Sequence, residues 1–428
     1  MNLKLENSLM IFRNIGQKGF FHLLSANLLI QVVAFASQLF VAGILSPEDI
    51  GRIKIIQTYL SIFSVVAGMG FNSSTLKLCS ENRTLEEKKH IFQSALFFTI
   101  LSSCSLYIII LIMNFFGIFS SDKLIKWLIP LGLFPIISNS VFIVFVSYYQ
   151  ATKKIKLISK LTVSNKLIAI ISIILLTYWI GIKGYYIAYN LSFILMLMVC
   201  FMHYKSISGF KILIATNLSK FSIHWRYAKT SMFAYLLSEI SAYVDILLIS
   251  FLILDMKQIG YYSFALTITV VFKIIPNTIQ QITIPYFSSL AEQKNEFMIA
   301  FNRYNKLLYI IIAITLLSAL LFIPFFLHWI FAGKYDPSMK YFSLLAIGWS
   351  FRLLAQLQYG AIFGLGKLNY NVYTTLLSLT FNIIIISIFI YYFGLMGAAY
   401  SSVLGGLVYI LSSRYFFNKA KHEMIDSL

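Results

Sequence analysis

Residues 391–406 read "YYFGLMGAAYSSVLGG": the end of one apolar segment, a glycine turn, and the start of another. An earlier stretch, "YWIGIKGYYIAYNLSF" at 178–193, has the same layout. Tyr178, Gly181 and Gly184 fall on Tyr391, Gly394 and Gly397 at a constant offset of 213, within one residue of half the 428-residue chain. Other landmarks keep the same order. "LSPEDIGRIKI" (45–55) and "LDMKQIGYYSF" (254–264) each follow an apolar run, with Ile50-Gly51 and Ile259-Gly260 at an offset of 209. "YQATKKIKLISKLTVS" (149–164) corresponds to "FGLGKLNYNVYTTLLS" (363–378), with Lys153 set against Lys367 at an offset of 214. The chain is a duplicated unit.

Composition says what kind of unit. Apolar residues make up 59% of the chain, charged residues 11%, and the mean hydropathy is +0.82. Soluble domains carry about 25% charged residues. Apolar runs of 20 residues and more recur throughout, each able to cross about 30 Å of hydrocarbon. The expected class is an all-α integral membrane protein. A β-barrel would show alternating ten-residue segments instead.

The expected spans are 20–45, 53–78, 91–116, 124–150, 161–180, 184–204, 230–254, 260–284, 306–331, 339–365, 369–393 and 395–417. These twelve helices divide into an N-lobe (1–204), a basic connecting loop (205–229) and a C-lobe (230–428). The run 20–45 is longer than a signal-peptide core and lacks a small-residue cleavage site, so it reads as a retained first helix. With the N-terminus inside, 24 Lys and Arg fall on inner segments, 8 on outer loops and two within helices. The positive-inside rule then puts both termini in the cytoplasm. The net charge of +19 is accounted for by topology and attraction to anionic lipid, so no nucleic-acid partner is expected.

Enzyme signatures are missing. The six histidines lack metal-ligand spacing, the three cysteines form no pairing pattern, and no phosphate-binding G-x-x-x-x-G-K-[ST] loop occurs. Every loop is too short for a soluble catalytic domain. No catalytic residue, metal or cofactor is expected, and the function must lie within the bundle. Two halves that both begin and end on one face are parallel repeats, as in transporters that rock one half against the other.

Polar groups in hydrocarbon are costly and turn toward the bundle interior or a wet cavity. Helix 1 carries Asn27, Gln31 and Gln38 on one face; helix 2 carries Gln57, Ser61 and Ser64. Helix 7 carries Tyr235, Glu239 and Asp245, helix 8 carries Lys273, Asn277, Gln280 and Gln281, and helix 10 carries Arg352, Gln356 and Tyr359. One reading makes them the lining of a translocation cavity. The other makes the amides and serines interhelical hydrogen bonds, worth roughly 0.6–2 kcal/mol each. Lys273 and Arg352 suit a diphosphate, Arg352 bidentately. Asp245 and Glu239 could neutralise them, two anions against two cations, or could change charge in proton or sodium coupling. Pro130, Pro135, Pro276 and Pro324 are candidate kinks.

As a set, the landmarks resemble a known family. "LSPEDIGRI" (45–53), "GMGFNSSTLKLCSENR" (68–83), "AYVDILLISFLILDMKQIGYYSFA" (242–265), "IPNTIQQITIPYFSSLAEQ" (275–293) and "FNIIIISIFIYYFGLMGAAYSSVL" (381–404) look like Wzx-type O-antigen or polysaccharide-unit flippases. These belong to the polysaccharide transporter branch of the multidrug/oligosaccharidyl-lipid/polysaccharide exporter superfamily. The resemblance implies a V-shaped bundle of two six-helix lobes in the bacterial inner membrane. It implies transport of an undecaprenyl-pyrophosphate-linked oligosaccharide to the periplasmic leaflet by alternating access. It also implies contact with membrane lipids and association with a polymerase and ligase, and it supports helices 1, 2, 7 and 8 as cavity lining. A drug exporter of the same superfamily would favour a carboxylate-centred pocket. A polymerase or ligase enzyme would need a large outer loop, and a facilitator of another superfamily would need a G-x-x-x-D-R-like loop where "LKLCSENRTLEEKKH" (76–90) stands.

Overall fold

The computed structural model describes residues 20–208, 218–291 and 293–426, with side chains in the first helix from residue 31 onward. It is all-helical. The helices are α1 (Phe20–Ile44), α2 (Pro47–Gly68), α3 (Phe71–Ser80), α4 (Leu85–Phe115), α5 (Lys123–Leu133), α6 (Pro135–Ala151), α7 (Ile155–Ile180) and α8 (Ile182–Ser208). The second half holds α9 (Leu218–Leu252), α10 (Met256–Ser289), α11 (Lys294–Phe331), α12 (Met339–Leu354), α13 (Gln356–Gly364), α14 (Leu368–Phe393) and α15 (Leu395–Asp426). Among the described residues, ten segments are long and apolar enough to cross a membrane. With α1 and the α12–α13 pair they make twelve crossings. Helix α9 starts at Leu218, inside the segment expected to be the connecting loop.

The short loops work because polar residues at their ends satisfy the free N–H groups that begin each helix. Ser46 Oγ accepts from Asp49 N ahead of Pro47. Thr84 and Glu87 form a reciprocal capping box. Asp122 accepts from Ile125 N, and Asp255 from Lys257 N and Gln258 N.

Three crossings are broken. The expected continuous helix 53–78 divides at Met69 (φ 45°) and Gly70 (φ 72°). A Cβ on Gly70 would stand 2.2 Å from Ala228 O, so the break lies where α9 passes over it. The fourth crossing divides before Pro135 and the tenth at Ala355. Pro130, Pro276 and Pro324 sit inside helices that continue past them.

The repeat seen in the sequence is a repeat of backbone geometry. Gly181 (φ 65°, ψ −144°) and Gly394 (φ 57°, ψ −143°) end α7 and α14 in the same positive-φ conformation, which only glycine adopts freely. Three residues on, a Cβ at Gly184 would lie 1.9 Å from Leu176 O, and one at Gly397 2.0 Å from Phe389 O. Each glycine lets a helix fold back across the last turn of its predecessor. The register of the third landmark shifts by one residue. Lys153 (φ 59°) matches Gly366 (φ 73°), and Lys154 matches Lys367, so this turn also runs at offset 213. A side-chain match between two lysines misled the alignment; the turn geometry corrects it.

The third pair marks where the lobes meet. A Cβ on Gly51 would stand 2.8 Å from Met256 O, and one on Gly260 1.7 Å from Pro47 O. Helices α2 and α10 therefore cross backbone to backbone, with small residues permitting the approach. Lys334, in the α11–α12 turn of the C-lobe, closes the same end. Its Nζ donates to Ala42 O, Gly43 O and Leu45 O at 3.0, 3.1 and 2.6 Å, and Tyr335 Oη donates to Ala42 O at 2.9 Å. These are the orphan carbonyls at the α1 C-terminus, where a cation is favoured.

Burial follows the same division. One apolar core joins the two lobes at this end, through Val41, Ile53, Ile56, Ile129, Ile249, Ile259 and Phe264. Away from it the N-lobe has a core of its own, built on Phe71, Phe92, Phe145, Tyr148 and Tyr204. The bundle is thus closed at the α1–α2 end; toward the other end α9 packs on this N-lobe core through Phe221, Trp225 and Ala228. Leu317, Leu321, Phe322, Phe325 and Trp329 remain exposed along α11, a lipid-facing stripe.

Candidate substrate cleft

Two turns inside the closed end, the seam between the lobes becomes charged. Lys54 of α2, Lys273 of α10 and Arg352 of α12 all lie within electrostatic reach of one carboxylate, Asp245 of α9. Asp245 is held in place: its Oδ1 accepts from Ile246 N at 2.9 Å and its Oδ2 from Tyr262 Oη at 3.3 Å. The cations lean on aromatic faces. Lys273 Nζ is 3.4 Å and Arg352 Cζ 4.9 Å from the Trp349 ring centroid, and Lys54 Nζ is 5.7 Å from that of Tyr243. Such contacts stabilise a partly desolvated cation by roughly 0.5–2 kcal/mol without cancelling its charge. Counted by formal charge, three basic groups around one carboxylate leave an excess of two at the seam.

The sequence balance of two against two therefore does not describe this site. Lys54 adds to the positive side, and Glu239 sits elsewhere. Lys54 escaped notice because it lies at the expected helix boundary and was counted with the loop. Its partner Tyr243 and the shared Trp349 carry no sequence signal of their own. A basic residue just inside an expected span was the available clue.

A family model described as "Polysaccharide biosynthesis protein" matches residues 17–291, the first lobe from residue 17 onward and the helices that bring Asp245 and Lys273 to the seam. The chain belongs to the polysaccharide biosynthesis protein family. No curated protein sequence matches it significantly. Solved structures share its fold. The lipid II flippase MurJ in an inward closed conformation aligns with TM-score 0.74 at 17% identity, over 93% of this chain and 90% of that one. An inward-facing multidrug resistance MATE family transporter of the MOP superfamily aligns at 0.73 and 13% identity, over 93% and 95%. A Vibrio cholerae MATE transporter aligns at 0.65 and 11%, over 95% and 97%. The fold is that of the MOP transporters, and the protein is a multi-pass membrane protein.

In this polysaccharide biosynthesis family member, the remaining polar residues fall into separate groups. Gln356 opens α13 just after the Ala355 break. Its Nε2 donates to Asn277 Oδ1 at 2.5 Å and to Gln280 Oε1 at 2.9 Å, and Gln280 Nε2 returns a bond to Gln356 O at 3.3 Å. The amides at 277, 280 and 356 thus tie α10 to the broken tenth crossing, about one turn beyond Lys273 and Arg352. Gln57 donates to Tyr185 Oη at 2.6 Å and binds α2 to α8 within the N-lobe. Gln31 and Gln38 are exposed on α1. The side chains of Asn27 and Gln281 lie outside the described residues.

Glu239 lines a cavity of about 310 Å³ between the N-lobe and α9. Ser61, Ser64, Asn72, Asn139 and Tyr235 share its wall. Asn72 and Asn139 were not among the expected cavity residues, because each sits in a run of adjacent polar residues at a helix start rather than in a stripe at helical spacing. The breaks at Gly70 and Pro135 are what turn α3 and α6 toward this space.

Proposed function

We propose that the protein flips lipid-pyrophosphate-linked oligosaccharide units across the bacterial inner membrane by alternating access. The units would be O-antigen or a related surface polysaccharide on an undecaprenyl carrier, moving from the cytoplasmic to the periplasmic leaflet. Both ends of the chain would be cytoplasmic, and the released unit would pass to a polymerase and ligase. The bundle supplies binding and rocking and makes or breaks no covalent bond.

The observation that carries this reading is the cation excess of Lys54, Lys273 and Arg352 at the seam. A pyrophosphate is doubly charged and dispersed over several oxygens. It suits two lysine point charges and one planar guanidinium. The partial desolvation of the seam strengthens that attraction relative to water. Loading would come from the inner leaflet, and the Gly51–Gly260 crossing with the Lys334 contact would be the gate that opens afterwards. A drug-exporter reading is favoured by one feature, the carboxylate of Glu239 in its cavity, but it gives the basic residues at the seam no part in binding.

The test is a deletion strain complemented with wild-type, Lys273→Ala or Arg352→Ala protein. Surface polysaccharide is stained, and the lipid fraction is analysed for undecaprenyl-linked units. The reading expects lost surface polymer, accumulated single units, and rescue by wild type alone although both variants insert normally. Intact polymer in the deletion strain would reject it.

A further inference from the structure

From the Glu239 cavity we infer a glycan subsite: it receives the sugars next to the pyrophosphate and sets which unit is accepted. The inference rests on the flippase reading above and assigns a second part of the substrate to a second part of the cleft.

Three observations carry it. First, the cavity adjoins the cation cluster across a single side chain, Tyr243. Tyr243 lies under Lys54 on one side and interacts with the Ser61 hydroxyl on the other, and Ser61 is in the cavity wall. Lys54 and Ser61 are seven residues apart on α2, about 10 Å along nearly the same face; Asp245 and Glu239 are six apart on α9, about 9 Å along the axis. A sugar joined to a pyrophosphate held by the cations would reach the cavity.

Second, the wall has the chemistry of a polyol site. Amides and hydroxyls both donate and accept, and a carboxylate accepts from adjacent sugar hydroxyls. Tyr235 and Tyr189 add aromatic surface for a ring's apolar face. Among the described residues no Lys, Arg or His forms an ion pair with Glu239.

Third, the wall is poor in charge. Glu239 is the single carboxylate in it, and among the described residues no group of three or more His, Cys, Asp or Glu could hold a metal ion. A cavity of this size lies at the lower end of ligand pockets, which run about 300–1,000 Å³. That suits one or two sugar rings better than a whole repeat unit.

The test uses the full-length protein in nanodiscs and two probes. One is the lipid-linked unit that accumulates in a strain lacking the gene; the other is undecaprenyl pyrophosphate. Wild type should prefer the glycosylated probe by about tenfold or more, as sites built to hydrogen-bond hydroxyls do. Glu239→Gln and Asn139→Ala should each bring the preference toward one while leaving undecaprenyl pyrophosphate binding within about twofold. Lys273→Ala should weaken both probes alike. Unchanged preference in Glu239→Gln and Asn139→Ala overturns the subsite but leaves the flippase reading intact. So does a cation role, seen if Glu239→Gln instead abolishes sodium or tetraphenylphosphonium binding and leaves the glycan preference in place. If no lipid-linked unit accumulates in the deletion strain, the flippase reading itself fails, and the subsite with it.

Discussion

Lys334→Met should release the closed end of the bundle. The three N–H donors of the ammonium are all engaged by carbonyls of Ala42, Gly43 and Leu45. The contact joins the C-lobe turn to the end of the first N-lobe helix, so it is lost when the lobes part there. Hydrogen bonds to a charged group contribute about 1.5–3 kcal/mol each when well buried. Lys334 is half-buried, and water replaces much of that on opening, which leaves about 2 kcal/mol for the set. The ratio of open to closed molecules should then rise about 30-fold. Tyr335→Phe removes one neutral hydrogen bond to Ala42 O, about 1 kcal/mol or about fivefold. Ser250 is a suitable reporter: it is 8% exposed and its Oγ lies 3.4 Å from Tyr59 Oη across the α2–α9 contact. With Cys79, Cys104 and Cys200 replaced by serine, maleimide modification of Ser250→Cys should quicken by those factors in the two variants. Equal rates in both variants and the parent, with unchanged thermal midpoints, would show that Lys334 does not hold the gate.

Lys54→Gln should weaken undecaprenyl pyrophosphate binding in nanodiscs by about tenfold and flatten its salt dependence, read by titration at two ionic strengths. Gly184→Ala and Gly397→Ala should each destabilise the folded protein by about 1–3 kcal/mol or more through overpacking, seen as lower thermal midpoints in detergent. The two should be alike because the close contacts are alike. Asp122 lies just outside the membrane-spanning segments. Burial would raise its carboxyl, but the hydrogen bonds from Arg52 and Ile125 N and the Arg52 charge outweigh that and hold it below its usual 3.8. Its contribution is therefore complete above that value and is lost as pH falls through the lower folded value. Thermal midpoints measured from pH 6 to 3 should fall more steeply for wild type than for Asp122→Asn.

The duplication was legible because it is written in glycines, and a glycine's conformational role shows in sequence. Gly181 with Gly394, and Gly184 with Gly397, mark turns that no other residue fits, so their spacing survives when the apolar helices between them drift. The lysine landmark failed for the same reason in reverse. Lys153 adopts the left-handed turn that Gly366 adopts, and a surface lysine can occupy either of two adjacent positions. Class and helix number followed from apolar length alone. The helix breaks at Met69 and Ala355 did not, since they come from neighbours such as Ala228 that are remote in sequence. The charge cluster was half legible: Lys273, Arg352 and Asp245 stand out in apolar runs, whereas Lys54 is hidden at a helix end. That Glu239 belongs to a different space from Asp245 depends on which face of α9 each occupies relative to α2, a fact of packing.

The most direct test of the account is a flipping assay in proteoliposomes. The purified protein is reconstituted with the lipid-linked unit isolated from the deletion strain, and outward exposure of the glycan is followed with an impermeant lectin or glycosidase. The account predicts protein-dependent exposure in wild type and loss of it in Lys273→Ala and Arg352→Ala at equal reconstitution. Exposure at the protein-free rate in wild type, or undiminished in both variants, would contradict it.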